Sequence, residues 1–411
     1  MYVPPELTDL IIDHLAHDPR TLASCTLVCK TFFPRSHTHL FSRITIGHPS
    51  RANSARQFLP LLPYVGDLVK SLRIEAECGF RDKDNTEGDF MMMNDLIDEL
   101  LWKTAHDKQW VSHDPALPTI LTSLPNLTSL EIRALRWRNP WRVHQCTPSF
   151  EHTLAAIAPQ VASLRLDYVH FDSLPGLLGI LSTFRGMKKL ALGVIMAPPY
   201  PVVLTGKTTE PLEIEELEAN MEGSARVVEV LMASPWAMSF GRLKKLRVKR
   251  CYRAQMELVR VLVDLSRGSL EELAVDDCVL PVDHVNRCPP LDVHHLKSLS
   301  VTLSSDCFPR LMRWWVGALG REETSKIQYM TLAVEHRSVA NVFLDKESWS
   351  ALSQVLDHDR MGALRRVDIV VKAWRGLGEV VKDIRNTIRE SCASMMARDI
   401  IHVYDKQHIL M

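Results

Sequence analysis

One hydrophobic spacing organises most of the chain: an apolar residue, two others, a second apolar residue, one other, and a third. It occurs as Val69-Leu72-Ile74, Leu127-Leu130-Ile132, Val161-Leu164-Leu166 and Met187-Leu190-Leu192. It continues as Ile214-Leu217-Ala219, Leu243-Leu246-Val248, Leu270-Leu273-Val275 and Leu296-Leu299-Val301, and ends as Ile327-Met330-Leu332 and Leu364-Val367-Ile369. The closing alternation of each triple is the two-residue period of a strand with one buried face. Between the triples lie stretches with helical spacing, Phe150 to Ile157, Leu174 to Phe184, Ala225 to Met232, Met256 to Leu265, Leu311 to Leu319 and Trp349 to Leu356. Strand, turn, helix, strand predicts a parallel sheet with helices on its other face. The first residues read differently. Pro4 and Pro5 fix an extended entry that suits a helix start. Leu7, Leu10, Ile11, Asp13 and Leu15 then follow a helical pattern. Asp18-Pro19 ends that helix and opens another, with Leu22, Cys25, Val28, Cys29 and Phe32 on one face.

The middle residues of successive triples through the centre of the chain are 26, 27, 29, 27 and 26 residues apart. Such a period is the signature of leucine-rich repeats, whose units cannot bury their apolar faces alone and so stack. Cys251 and Cys278 each stand three residues after the last apolar position, where that repeat carries Asn or Cys. The N-terminal run Val3-Pro4-Pro5-Glu6-Leu7, with Val28-Cys29-Lys30, Phe32 and Leu40-Phe41, resembles an F-box. Val3 departs from the Leu usual in that family before the first proline. Together the chain resembles the F-box proteins with C-terminal leucine-rich repeats found in fungi, closely at its N-terminus and loosely in the repeats.

The expected fold is α/β: a three-helix F-box followed by a leucine-rich-repeat solenoid with the parallel sheet concave and the helices convex. A doubly wound sheet is the alternative, and the short, regular crossovers argue against it. The expected boundaries are 1–46 for the F-box, 47–67 for a linker helix (Ser54 to Leu62), 68–375 for the solenoid and 376–411 for a capping helix (Leu377 to Met396) and tail. The gap before the second triple should hold a loop, Arg81 to Asp89, and a helix, Met92 to Trp102. The resemblance implies a substrate-recognition subunit of an SCF-type cullin ubiquitin ligase. Its F-box would grip a Skp-type adaptor, and through it the cullin subunits, with Pro4, Leu7, Ile11, Leu15, Leu22, Cys25, Val28 and Phe32. The alternative is a non-catalytic interaction scaffold without a ligase role.

In either case the residues between the apolar strand positions form the partner-binding face. Glu131, Arg133, Arg165, Glu218, Arg247 and Lys249 are its candidate contacts for a protein substrate. There Glu216 and Glu218 oppose Lys245 and Arg247, which predicts a self-neutralising ladder and recognition by shape and hydrogen bonds. The segment Arg133 to Arg142 adds Trp137 and Trp141, as interface anchors or as rings stacked within the fold. At least one of Trp314 and Trp315 should be core.

Composition narrows the classes. The 411 residues are 46% hydrophobic, enough for a large core, and Lys plus Arg equals Asp plus Glu at 49 each. No global field favours nucleic acid or an anionic membrane. No apolar run is long enough to span a bilayer, and no signal peptide is recognisable. Nine scattered cysteines suit a reducing compartment, cytoplasmic or nuclear. Gly206-Lys207-Thr208 mimics the end of a phosphate loop, but Pro201 stands where the first glycine belongs. Gly376-Leu377-Gly378 lacks a third glycine. Cys278, His284, Cys288 and His294 match no zinc spacing. No catalytic constellation, metal site or cofactor is expected.

Overall fold

The computed structural model describes residues 4–47, 55–75, 114–133, 136–137, 148–171, 173–197, 211–233, 238–278, 288–304, 308–336, 342–373 and 378–407. The loop and helix expected between Arg81 and Trp102, Trp141, the Gly206-Lys207-Thr208 stretch and His284 lie outside them. The protein is α/β, with parallel strands joined through helices. The described chain forms two compact units, residues 4–187 with 195–197, and residues 188–194 with 211–407.

The first unit opens with three short helices, α1 (Pro5–His14), α2 (Pro19–Val28) and α3 (Phe33–Ser42). They lead into a strand, Arg43–Ile46, which pairs in parallel with Ser71–Glu75. Ser129–Arg133 and Ser163–Asp167 follow in order. The sheet therefore begins at Arg43, well before the boundary at 68 that the spacing predicts. Phe41-Ile44-Ile46 repeats the spacing here, with Ile44 and Ile46 in register with Leu72 and Ile74, but its first residue belongs to the helical run of α3. The single helix expected over Ser54 to Leu62 is instead a series of short turns, Ala55–Phe58, Leu59–Leu61, Leu62–Val65 and Gly66–Leu68. Pro60 and Pro63 each remove a helical N–H and break the run.

In the second unit the strands Lys189–Leu192, Glu216–Asn220, Lys245–Lys249, Glu272–Asp276, Ser298–Ser304, Tyr329–His336, Arg366–Ala373 and Ile401–Gln407 pair in chain order, all parallel. The middle residues of the triples are register partners from strand to strand: Leu190, Leu217, Leu246, Leu273, Leu299, Met330 and Val367. None is more than 2% exposed. The third residues stack in a second row, from Leu192 to Ile369, and are buried as well. Burying one such side chain contributes about 1.5–3 kcal/mol. The two rows are what the repeated spacing encodes.

A backbone motif recurs at the same height in each repeat. The carbonyl just before one strand accepts from two consecutive N–H groups at the head of the next. Lys188 O takes Glu215 and Glu216 (2.8 and 3.0 Å), and Glu215 O takes Lys244 and Lys245 (2.8 and 3.1 Å). Lys244, Glu271, Lys297 and Gln328 continue the series. After the strands, Arg250 and Asp277 occupy left-handed backbone at φ 53° and 54°, and Cys251 and Cys278 turn inward with no measurable exposure. The interval between repeats is thus copied in backbone conformation as well as in side-chain type.

The helices start earlier than their apolar spacing predicts: Met221–Ala233, Arg253–Leu265, Phe308–Leu319 and Lys346–Leu356. Met221 and Phe308 open their helices fully buried, ahead of the stretch the spacing marks, whereas the other two open on the polar residues Arg253 and Lys346. The C-terminal region departs most. The helix Gly378–Ser391 and the short helix Ala393–Ala397 lead into another strand, Ile401–Gln407, instead of a free tail. Its sequence, Ile-His-Val-Tyr-Asp-Lys-Gln, carries too few apolar residues to show the triple.

Candidate functional site

Two surfaces carry the candidate contacts. The first lies on the N-terminal helices. Pro4 caps α1 with extended backbone at ψ 141°. Thr8 and Ile12 turn inward, whereas Leu7, Leu10 and Ile11 remain 52%, 54% and 56% exposed. Asp18 caps α2 by accepting from the Arg20 and Thr21 N–H groups, both at 3.1 Å. Leu22 faces inward, while Leu27 is 87% exposed, and Val28 and Phe33 are also exposed. Asp13 ties the first helix to the third, accepting from Arg35 at 2.6 and 2.7 Å and lying 2.6 Å from His39 Nε2. The Arg35 guanidinium, then His39, hold the Asp13 carboxyl far below the usual carboxylate range.

Of the residues expected to meet an adaptor, Pro4, Leu7, Ile11 and Val28 are exposed, and Leu15, Cys25 and Phe32 are half-buried. Leu22 is not surface: at 1% exposure it is the core of α2. It shares the stripe with Cys25 and Cys29, and periodicity does not say which edge of a stripe packs inward. Leu27 and Phe33 carry exposed apolar surface that the stripe missed. Leu27 falls one position off the helical spacing. Phe33, next to Phe32, opens α3.

The second surface is the sheet face opposite the apolar rows. In the first unit it is a compact ion cluster. Glu131 takes Arg73 Nε at 2.8 Å and Arg133 Nε at 2.7 Å, with Arg165 Nε at 3.5 Å. Asp167 stands 3.9 Å from Arg133. Trp137 sits in a two-residue strand whose register partner is Phe171.

In the second unit the register sets Glu216 beside Lys245 and Glu218 beside Arg247, as the spacing predicts. The ion pairs join other neighbours. Lys245 reaches Glu272 on its other side at 2.9 Å, and Arg247 reaches Asp276 at 2.7 Å. Glu216 is held by Lys189 and Glu218 by Lys249, each at 2.8 Å. Lys245–Glu272 and Lys189–Glu216 join register partners on neighbouring strands, whereas Arg247 and Lys249 lean along the strand to carboxylates two residues from their Cα partners. The ladder is charge-balanced, with two pairs in register and two displaced along the strand. Beyond Asp276 the face changes to Ser298, Ser300 and Tyr329, where Arg366 donates to Asp368 (2.8 Å) and to the Tyr404 hydroxyl (2.5 Å).

Buried titratable groups belong to the packing. Burial pushes the Cys251 thiol up to about 12 and the Cys392 thiol to about 11, so neither is a ready nucleophile. Burial also lowers the pKa of His294 and His295. Trp314 and Trp315 are both core, with the Trp314 indole N–H donating to Cys288 O at 2.9 Å. Among the described residues no three His, Cys, Asp or Glu side chains group so as to hold a metal ion, and no helix is long and apolar enough to cross a membrane. No protein-family model matches the sequence, and no curated protein matches it.

Proposed function

We propose that the chain is a substrate-recognition subunit of an SCF-type cullin ubiquitin ligase, with helices α1–α3 as an F-box that docks a Skp-type adaptor. The observation that supports this reading is the N-terminal apolar surface. Leu7, Leu10, Ile11, Leu27, Val28 and Phe33 stay exposed on three short helices. Exposing that much apolar surface within about 30 residues is costly unless a partner covers it. The proline entry, the Asp18-Pro19 break and the Val28-Cys29-Lys30 step add the order in which the resembled family carries these features.

The sheet face would hold the target protein. Its residues sit on paired strands whose apolar sides are fully packed, so the outward side chains are presented on a rigid base. The chain contributes proximity and orientation, and the ubiquitin chemistry belongs to other subunits. The test is turnover of a partner captured with the full chain. Ubiquitin transfer to that partner should require both the adaptor and this protein. Transfer that proceeds unchanged without the adaptor would overturn the reading and leave an interaction scaffold.

A further inference from the structure

At the heads of the second unit's strands, one residue before the paired segment, five consecutive strands carry Lys188, Glu215, Lys244, Glu271 and Lys297. Their side chains form an alternating rail. Glu215 takes Lys188 at 3.5 Å and Lys244 at 2.9 Å, and Glu271 takes Lys297 at 2.8 Å. The rail is not symmetric in depth. The lysine side chains are 63%, 52% and 57% exposed, against 32% for Glu215 and 45% for Glu271. The three lysine side chains are therefore the more exposed members of the rail.

The spacing of the lysines is set by the sheet. They lie on alternate strands, and adjacent strands are about 4.8 Å apart, so the three heads recur every ~9.6 Å. A polyproline II segment repeats one face every three residues, at about 3.1 Å per residue or ~9.3 Å per turn. A β-strand places residues three apart on opposite faces, and a helix advances too little per turn.

We infer that this rail docks an acidic partner segment in polyproline II conformation, with Asp or Glu at every third position over the three lysines. Residues between the acids would sit over Glu215 and Glu271 and so should be uncharged. The lysines are held in place by their glutamate partners before binding, which lowers the ordering cost. The inference deepens the target-binding half of the proposed function, because it takes the strand heads as a partner surface. It does not depend on adaptor docking.

The test is fluorescence anisotropy of labelled 12-residue peptides with the full chain: (Glu-Pro-Pro)4, (Lys-Pro-Pro)4, and a peptide of the first composition with its four Glu in one block. The spaced acidic peptide should bind tightest. Replacing all three cations, Lys188→Gln with Lys244→Gln and Lys297→Gln, should weaken it about tenfold, since each exposed pair contributes little alone. The corresponding Lys→Arg triple should retain binding and shows that the site tolerates substitution. Lys346→Gln, at an exposed paired lysine on the helix Lys346–Leu356, should change nothing. Equal binding of the spaced and blocked acidic peptides, or an unchanged affinity in the glutamine triple, would overturn the inference. Adaptor binding without peptide binding would sink this inference alone, and the reverse would sink only the ligase reading.

Discussion

The N-terminal helices and the second unit's sheet spend their apolar residues in opposite ways. In the sheet, Leu246, Leu273 and Leu299 stack in register with almost no exposure, and the polar residues between them pair into an ion ladder. In the helices, Ile12 and Leu22 are the buried apolar residues, while Leu7, Leu10, Ile11 and Leu27 face outward. The sheet is complete in itself, and the helical module is not. The apolar surface left uncovered there is what supports the proposed docking role, whereas a charge-balanced rigid face offers selectivity through geometry.

The largest expected effects lie in the two cores. Trp349 has no measurable exposure, and its indole donates to Phe343 O at 2.9 Å. Trp349→Ala should cost about 3–5 kcal/mol in urea unfolding of the second unit. Leu22→Ala should cost about 2–5 kcal/mol, read as loss of the helical module, while Leu7→Ala in the same module should be nearly neutral. Equal effects at Leu7 and Leu22 would erase the distinction between its packed and docking residues.

Acid should separate the regions by pH. Burial lowers the pKa of His294 and His295 below the ordinary 6.5. Asp292, Glu323, Arg321, Arg267, Lys326 and the neighbouring histidine act on the two rings. Their contribution is complete above pH 6.5 and falls as pH drops from there towards the lowered values. In the helices, Asp13 and Asp18 lie below the ordinary carboxylate value of 3.8. Their contribution is complete above 3.8 and is lost only as pH falls further. Thermal melts from pH 8 down to about 2 should show the sheet unit weakening first and the helices only below 3.8. His294→Leu should flatten its profile, and Asp13→Asn should flatten that of the helices.

The smallest effect tests backbone strain. Asp399 sits at φ 57° ahead of the last strand. Asp399→Gly should raise stability by up to about 1 kcal/mol, and Asp399→Val should lower it.

The sheet was legible because its signal is redundant. Ten triples repeat one spacing, and the register turns that spacing into two continuous rows. The edges were less legible: Phe41-Ile44-Ile46 repeats the spacing but overlaps the helical pattern of α3, and Ile401–Gln407 pairs as a strand with Arg398 where the first apolar residue belongs. In the helical module the spacing identified a stripe. It did not distinguish inward Leu22 from outward Val28, because that choice is made by packing between helices. Side-chain pairing on the sheet face was similarly hidden. Register is encoded in the apolar pattern, but it leaves Lys245 with a glutamate on each side, Glu216 and Glu272, and the choice of Glu272 is made by the side-chain rotamer.

The most direct test of the central claim is isothermal titration of the Skp-type adaptor into the full chain, wild type beside Leu7→Asp with Ile11→Asp. These positions are exposed, so the variant should keep the wild-type circular dichroism spectrum. The account predicts saturable one-to-one binding by the wild type and none by the variant. A folded wild type that does not bind the adaptor, or a variant that binds equally well, would contradict it.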